Sequence, residues 1–345
     1  MPQRPADQFQ KTRRLVQYAF LALNLWIAAQ FLLWVRAFEH GTTPLVARPA
    51  GVDGWLPIAG LMNTKLFLTT GHIPAIHPAA MVLFLAFCAI SLIAKKSFCS
   101  WLCPIGTLSE HLALLGRKLF GKNLRLPRAL DIALRGLKYL LLAFFVVFIA
   151  AMSAEALTDF LSTPYGILAD VKMLCFFRHL GPTALLVLAA LAALALVVEQ
   201  FWCRYLCPYG ALMGLLSRVS PLKIRRHVAL CTGCGKCARA CPAALPVDKL
   251  LQIRSAECTA CMRCVSSCPT EGALQFSLPL AKIGTPLPRY RRALTPTAFV
   301  VLIAALFCGF VLAARATDHW QTHIPNAVYQ QLIPNAGQLA HPGLQ

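Results

Sequence analysis

Eight cysteines between Cys231 and Cys268 repeat one spacing twice, Cys231-x2-Cys234-x2-Cys237-x3-Cys241-Pro242 and Cys258-x2-Cys261-x2-Cys264-x3-Cys268-Pro269. Thiolate sulfur is the soft ligand that iron–sulfur chemistry needs. In runs of this form the first three cysteines hold three irons of one cube, and the fourth, before proline, reaches the other cube. The expected ligand sets are Cys231, Cys234, Cys237 and Cys268 for one [4Fe–4S] cluster, and Cys258, Cys261, Cys264 and Cys241 for the second. Structural zinc is the competing use of so many thiols, but zinc sites come as separated Cys-x2-Cys pairs. The doubled spacing therefore points to clusters and to one-electron chemistry. Gly233, Gly235 and Gly272 suit the tight loops such a cube requires.

Four further cysteines form a second kind of element. The phrase Phe98-Cys99-Ser100-Trp101-Leu102-Cys103-Pro104-Ile105-Gly106 returns 104 residues later as Trp202-Cys203-Arg204-Tyr205-Leu206-Cys207-Pro208-Tyr209-Gly210. On a helix, positions i and i+4 project from one face, so Cys99 with Cys103, and Cys203 with Cys207, each offer a two-sulfur edge. Brought face to face, the four would suit a third [4Fe–4S] cluster or another metal, copper and zinc included. A redox-active dithiol and simple packing at a helix end are the other readings. Arg204 lies inside the second element where Ser100 stands in the first, and a cation beside a bound cluster raises its potential. No catalytic residue is assigned. Of the remaining Cys88, Cys175 and Cys308, the first and last sit in apolar runs and read as small packing residues.

The elements that position these cysteines belong to a membrane protein: 58% of the residues are hydrophobic and the mean hydropathy is +0.62, beyond soluble norms. Twelve of the 15 cysteines lie in motifs ending Cys-Pro, which favours cluster ligation in a reducing compartment over disulfides. Five apolar runs, 15–35, 78–94, 137–154, 182–198 and 297–314, each read as a span. The first contains Trp26 and Trp34 and flows into Arg36, unlike a cleaved signal. The expected fold is mainly α, with about five transmembrane helices containing an internal two-helix repeat, plus a small α+β ferredoxin-like domain holding two [4Fe–4S] clusters. Its divisions are a four-span membrane domain over 1–222 with both Cys-x3-Cys-Pro elements and a ferredoxin-like domain over 223–280. A basic linker and fifth span follow over 281–314, and then a tail over 315–345 whose prolines argue against regular structure. Residues 110–138 read as a loop with one or two amphipathic helices, and the repeat places its halves about an axis along the membrane normal.

The net charge is +20, and 27 of the 33 lysines and arginines fall in the N-terminus, 95–138 and 204–292. The positive-inside rule then puts these segments, the ferredoxin-like domain included, in the cytoplasm and the C-terminal tail outside. No stacking motif accompanies the charges, so nucleic acid is not an expected partner. His77 and His179 open the second and fourth spans at nearly equivalent places. A b-type haem, a quinone contact and an ordinary hydrogen-bonded role are the readings for them, and without a Cys-x2-Cys-His sequence no covalent haem is expected. Glu199 abuts the second cysteine element, where it would pair with Arg204 or accept protons from a quinol.

Taken together, Phe98 to Gly106, Trp202 to Gly210 and the octet resemble the membrane-bound polyferredoxins that include NapH, the NosR membrane domain and CcoG/RdxA. The resemblance extends over most of the chain. It implies electron transfer in a bacterial inner membrane, linking the quinone pool or a cytoplasmic reductant to a partner redox protein, with the outer tail as a place for that partner. The chain lacks the flavin-binding outer domain of NosR, and its fifth span and tail depart from NapH, so a nitrate-reductase partner is not implied. CcoG implies copper reduction during oxidase assembly, which keeps a metal-ion reductase or assembly factor as the alternative.

Overall fold

Alanine, leucine, valine and phenylalanine fill the five apolar runs, and each run forms a helix in the computed structural model: Pro5–Glu39, Pro78–Ala94, Arg128–Ala151, Pro182–Val197 and Pro296–Ala316. The structure describes residues 5–278 and 293–342, so Arg4 and the linker arginines Arg289, Arg291 and Arg292 lie outside the described residues. The chain is a mainly α membrane protein, but the helices are not five equal spans. Gln8–Glu39, Arg128–Ala151 and Pro296–Ala316 are long and apolar enough to cross a bilayer. Pro78–Ala94 has 17 residues, about 25 Å at 1.5 Å per residue, against a hydrocarbon core of about 30 Å. Pro182–Val197 reaches span length only with Ala169–Arg178, to which it is bent by 83°. Backbone geometry supplies the reason. Lys95 (φ 61) and Gln200 (φ 57) adopt the left-handed conformation just beyond the two short helices, a conformation that side chains disfavour. The chain leaves the helix line there and starts each cysteine element afresh.

The third span starts earlier than the hydropathy suggests, at Arg128, and absorbs Asp131, Arg135 and Lys138 from the segment read as a loop. What remains of that loop is the amphipathic helix Pro104–Phe120, with Arg117 and Lys118 in its last turn, where cations favour the helix dipole.

Two compact units are built from interleaved segments, Met1–Leu21, Phe87–Leu142 and Ala190–Leu306 in the first, Ala22–Ala86, Ala143–Ala189 and Phe307–Gln345 in the second. Each of the five apolar helices gives one end to each unit. All twelve motif cysteines fall in the first. There, strand β1 (Lys223–Arg226) pairs antiparallel with β2 (Leu274–Ser277), with Lys223 opposite Ser277 and Arg226 opposite Leu274. This pairing closes the octet at both ends. Buried Ile224 and Phe276 anchor the sheet, and Phe276, Phe299 and Trp101 stack edge to face with centroids 5.2 and 4.9 Å apart, a favoured aromatic geometry.

The second unit corrects the reading of the tail. Residues Asn326–Leu332 are α-helical and Ile333–Gln338 form 3-10 turns. Tyr329, Ile333 and Ala336 are buried in one core with Phe31, Trp34, Val35, Phe38, Leu168 and Val171, and Tyr329 meets Trp34 edge-on at 4.8 Å. Pro325 sits just before the helix and Pro334 in the first 3-10 turn, positions where proline's missing N–H costs nothing. The prolines start structure here rather than preventing it.

Candidate functional site

The octet folds as two copies of one loop. Cys237 lies in the short helix Lys236–Arg239 and Cys264 in Arg263–Ser266. In the first copy Gly233 (φ 69) and Gly235 (φ 67) turn the chain through the left-handed region. In the second, Ala260 (φ 51) and Met262 (φ 58) do so at the equivalent places. Non-glycine residues pay about 1–3 kcal/mol each for this conformation, and here it is held from outside: Trp101 Nε1 donates to Ala260 O at 3.1 Å, and Ala260 and Met262 are both fully buried.

Cys231, Cys234, Cys237 and Cys268 line one cavity, with Arg226, Asp248 and Thr270. Cys241, Cys258, Cys261 and Cys264 line the other, with Ile224, Val247 and Ile253. In each, the fourth cysteine comes from the opposite copy. Each presents four cysteines, so they suit occupants of one kind. Their depth differs: Cys258, Cys261 and Cys264 are buried, whereas Cys234 is exposed and Cys231 and Cys268 are half-buried.

The Cys-x3-Cys-Pro elements are also two copies of one device. Cys103 and Cys207 immediately precede the helices Pro104–Phe120 and Pro208–Leu216, each with proline in the first turn. Gly210 N–H donates to Cys207 Sγ at 3.2 Å; Cys103 has no side-chain cap hydrogen bond, but the Gly106 and Ile105 N–H groups still favour its thiolate. Helix N-terminal N–H groups and the macrodipole both favour a thiolate. A Cβ on Gly106 would lie 2.1 Å from Cys99 O, which explains the glycine three residues after Cys103. Cys99 sits on the helical turn Phe98–Trp101 and Cys203 on the π turn Trp202–Leu206. Phe98 and Tyr209, one from each element, meet edge to face at 5.8 Å.

The four thiols come together. Burial pushes Cys99 up to about 12 and Cys103 to about 11, and Cys203 rises by burial and then by its neighbours Cys103, Cys207 and Cys99. Four sulfurs so placed ionise only against positive charge, and Lys96 supplies it. Burial alone would lower the Lys96 ammonium, but Cys99, Glu257, Cys207 and Cys203 outweigh it and raise it. A Cβ on Gly210 would lie 3.5 Å from Lys96 Nζ and 3.5 Å from Cys207 Sγ. Four thiolates are the soft donor set that an iron–sulfur cube takes, and the same set suits a single tetrahedral ion such as zinc.

The loop of the deeper cavity is seated on the first cysteine element. Ser100 Oγ donates to Thr259 O (2.6 Å), Lys95 Nζ to Ser255 O (3.1 Å) and Gln10 Nε2 to Cys261 O (2.9 Å). Glu257, next to Cys258, accepts from Lys138 Nζ at 2.6 and 2.8 Å. Burial would raise this carboxyl, but Lys96 and Lys138 hold it below the usual range. Glu110 ties the same loop to the first helix: Arg13 donates to both of its oxygens (2.6 and 2.7 Å) and Arg263 to one (2.8 Å).

Two expectations about this site are corrected. Glu199 pairs with Arg263, not Arg204, and Arg204 is committed to Asp131 Oδ1 at 2.8 Å and to Pro242 O at 3.1 Å. The cation beside the thiols is Lys96. Sequence reasoning counted it only as a topological charge, although its place three residues before Cys99 was visible.

His77 does not act as a free ligand. Its Nδ1 is 3.0 Å from Asp53 Oδ1 and its Nε2 3.1 Å from Gly166 O. Arg48 Nη2 also stands 3.3 Å from Nδ1, so both ring nitrogens are engaged within the fold. Arg48 Nη2 donates to Asp53 (2.5 Å) and Asp170 (2.7 Å), taking the place a metal would occupy among these three side chains. Burial would lower His77, but Asp53 and Asp170 outweigh it and raise it. His179 is exposed at the end of Ala169–Arg178.

Comparison with known proteins gives the same division. A profile described as a 4Fe-4S binding domain matches residues 76–123 and again 180–227, one match per repeat. A 4Fe-4S dicluster domain profile matches residues 223–274. YccM of Escherichia coli (strain K12), provisionally named an electron transport protein, is 49% identical over 95% of this chain and 91% of its own length. The ferredoxin-type protein NapH of Haemophilus influenzae is 28% identical over 69% of this chain and 76% of its own. The regulatory protein NosR of Pseudomonas aeruginosa is 32% identical over 45% of this chain and 21% of its own. No solved structure matches.

Proposed function

The chain belongs to the family of membrane-bound, ferredoxin-type 4Fe–4S proteins that these relatives define, and from that premise we propose that it relays electrons between the quinone pool or a cytoplasmic donor and a partner redox protein. Iron–sulfur electron transfer is the activity common to the family; three clusters, the quinone and the partner are the finer reading. Cys231, Cys234, Cys237 and Cys268 would hold the shallow cluster. Cys241, Cys258, Cys261 and Cys264 would hold the deep one, and Cys99, Cys103, Cys203 and Cys207 the third. The observation that carries the reading is the seating of the deep loop on the turn bearing Cys99, through Ser100 and Trp101. Short, rigid connections of this kind keep redox centres at fixed separation.

When bound, such clusters supply reversible one-electron chemistry. The chain's own residues do the rest. Buried Trp101, Ala260 and Met262 exclude water around the deep cysteines. The N–H groups of Gly106 and Gly210 and the Lys96 ammonium offset the charge of the four thiolates. The ferredoxin segment faces the cytoplasm in this reading, which rests on the distribution of lysine and arginine. The tail, whose Tyr329 and Ile333 are buried in a core with Trp34, lies outside and offers its exposed side to a partner.

A reduced menaquinol analogue added to the oxidised, anaerobically purified protein is expected to bleach its iron–sulfur absorbance. Cu(II) should be reduced no faster by the wild type than by a C99A/C203A variant. Stoichiometric copper reduction that vanishes in that variant, with no bleaching by quinol, would replace this reading with a metal reductase.

A further inference from the structure

The shallow cavity opens on a surface of unusual character. Cys234 is exposed there, and the turn Val228–Leu230 that leads into Cys231 has no buried residue. Val228 is 58% exposed, Leu230 46% and Leu251 47%, with Leu250 beside them at 37%. The two leucines are fixed next to β1, because Arg226 Nε donates to Leu250 O (3.2 Å) and Arg226 N to Leu251 O (2.9 Å). Leu230 reaches within 3.6 Å of where a Cβ on Gly272 would stand, so it borders the second end of the octet.

Around this apolar group most of the charge is positive, with exposed Glu271 beside Gly272 as the opposing group. Arg226 lines the cavity, and Lys236 and Arg239 act directly on Cys234. Lys236, Arg239 and Lys249 are exposed. Asp248 is the only carboxylate among the residues lining the cavity. Clustered exposed apolar side chains with a polar rim mark interaction sites. Charges of one sign around them steer a partner of the opposite sign.

We propose that this face docks a soluble, acidic one-electron carrier, which presents its own redox centre to the shallow cavity. Four apolar side chains with a basic rim suit a small, transient contact of the kind redox encounters use. The inference rests on the electron-transfer reading above and adds to it the class of the cytoplasmic partner and the place where it binds.

The test uses the full-length, cluster-loaded protein in neutral-lipid nanodiscs, with a reduced plant-type [2Fe–2S] ferredoxin as the acidic probe and photoreduced deazaflavin as a small reductant that needs no docking face. Binding of the ferredoxin should weaken steeply with salt, and K249E should raise its Kd about threefold or more. L230S/L251S should weaken binding while leaving the salt dependence unchanged. Iron content and reduction by deazaflavin should stay at wild-type levels in both. Binding unaffected by salt and by K249E would overturn the inference. So would hydrogen-exchange protection of residues 228–251 that appears with phosphatidylglycerol and not with the ferredoxin, because the face would then belong to the membrane. A wild type that deazaflavin cannot reduce would instead remove the electron-transfer reading itself.

Discussion

Serine in place of both Cys103 and Cys207 is expected to remove about four irons per chain, leaving about eight, with little change in thermal stability. The choice of serine separates two jobs that each cysteine performs. As the residue before a helix, Cys207 accepts the Gly210 N–H at 3.2 Å, and Cys103 stands at the same place before its own helix, where the Gly106 N–H favours its charge. Serine is a good helix cap, whereas alanine at such a position costs about 0.5–2 kcal/mol. Serine therefore keeps the cap and loses the soft donor that iron needs. The C103A/C207A pair should lose the same iron and unfold at lower temperature. Iron assay and thermal unfolding in detergent read both outcomes. If the serine pair keeps all its iron, the four thiols are not ligands and their repetition serves helix capping alone.

Glu110→Ala should be the most damaging single change outside the cysteines, costing about 3–5 kcal/mol, the range for removing one partner of a buried ion pair. Glu110 is 6% exposed and receives Arg13 on both oxygens, Arg263 on one and Gln17 Nε2 at 3.1 Å. Without it the buried Arg13 guanidinium loses the carboxylate it is paired with, and half-buried Arg263 is left with Glu199. Burial alone would raise the Glu110 carboxyl, but Arg13 and Arg263 outweigh it and hold it well below the usual range. The sign of the pH dependence follows. A carboxyl lowered on folding contributes stability fully above its unfolded value near 4.3, and that contribution fades as pH falls through the folded value. The gap in unfolding temperature between wild type and Glu110→Gln should be flat from about pH 6 to 8 and narrow below about pH 4. A gap that widens in acid would mean that Glu110 is not held as an anion.

The grouping of the eight cysteines into two cavities could be read from the sequence because it is written in local spacing, and the five apolar helices because burial in lipid needs only composition. What escaped was set by contacts between distant residues. Glu110 lies 97 residues from Arg13 and 153 from Arg263, and no local pattern joins them. Glu199 was matched with the nearest cation, Arg204, while the fold delivers Arg263. Lys96 reads as one of many basic residues until the helix stops at Lys95 and turns the next side chain toward the thiols. The second octet loop has no glycine where the first has two, yet Ala260 and Met262 take the same left-handed turns. Tertiary burial overrode the local preference there. In the tail the prolines were read as breakers, and their position at the start of each turn could be judged only once Tyr329 and Ile333 were seen packed on the first helix.

The most direct test of the account is an anaerobic redox titration of the purified protein followed by EPR, with iron and acid-labile sulfide counted on the same sample. The account predicts about twelve irons and twelve sulfides per chain and three [4Fe–4S] signals appearing in turn on reduction, one of them missing in C103S/C207S. About eight irons with two signals, both unchanged in that variant, would contradict it.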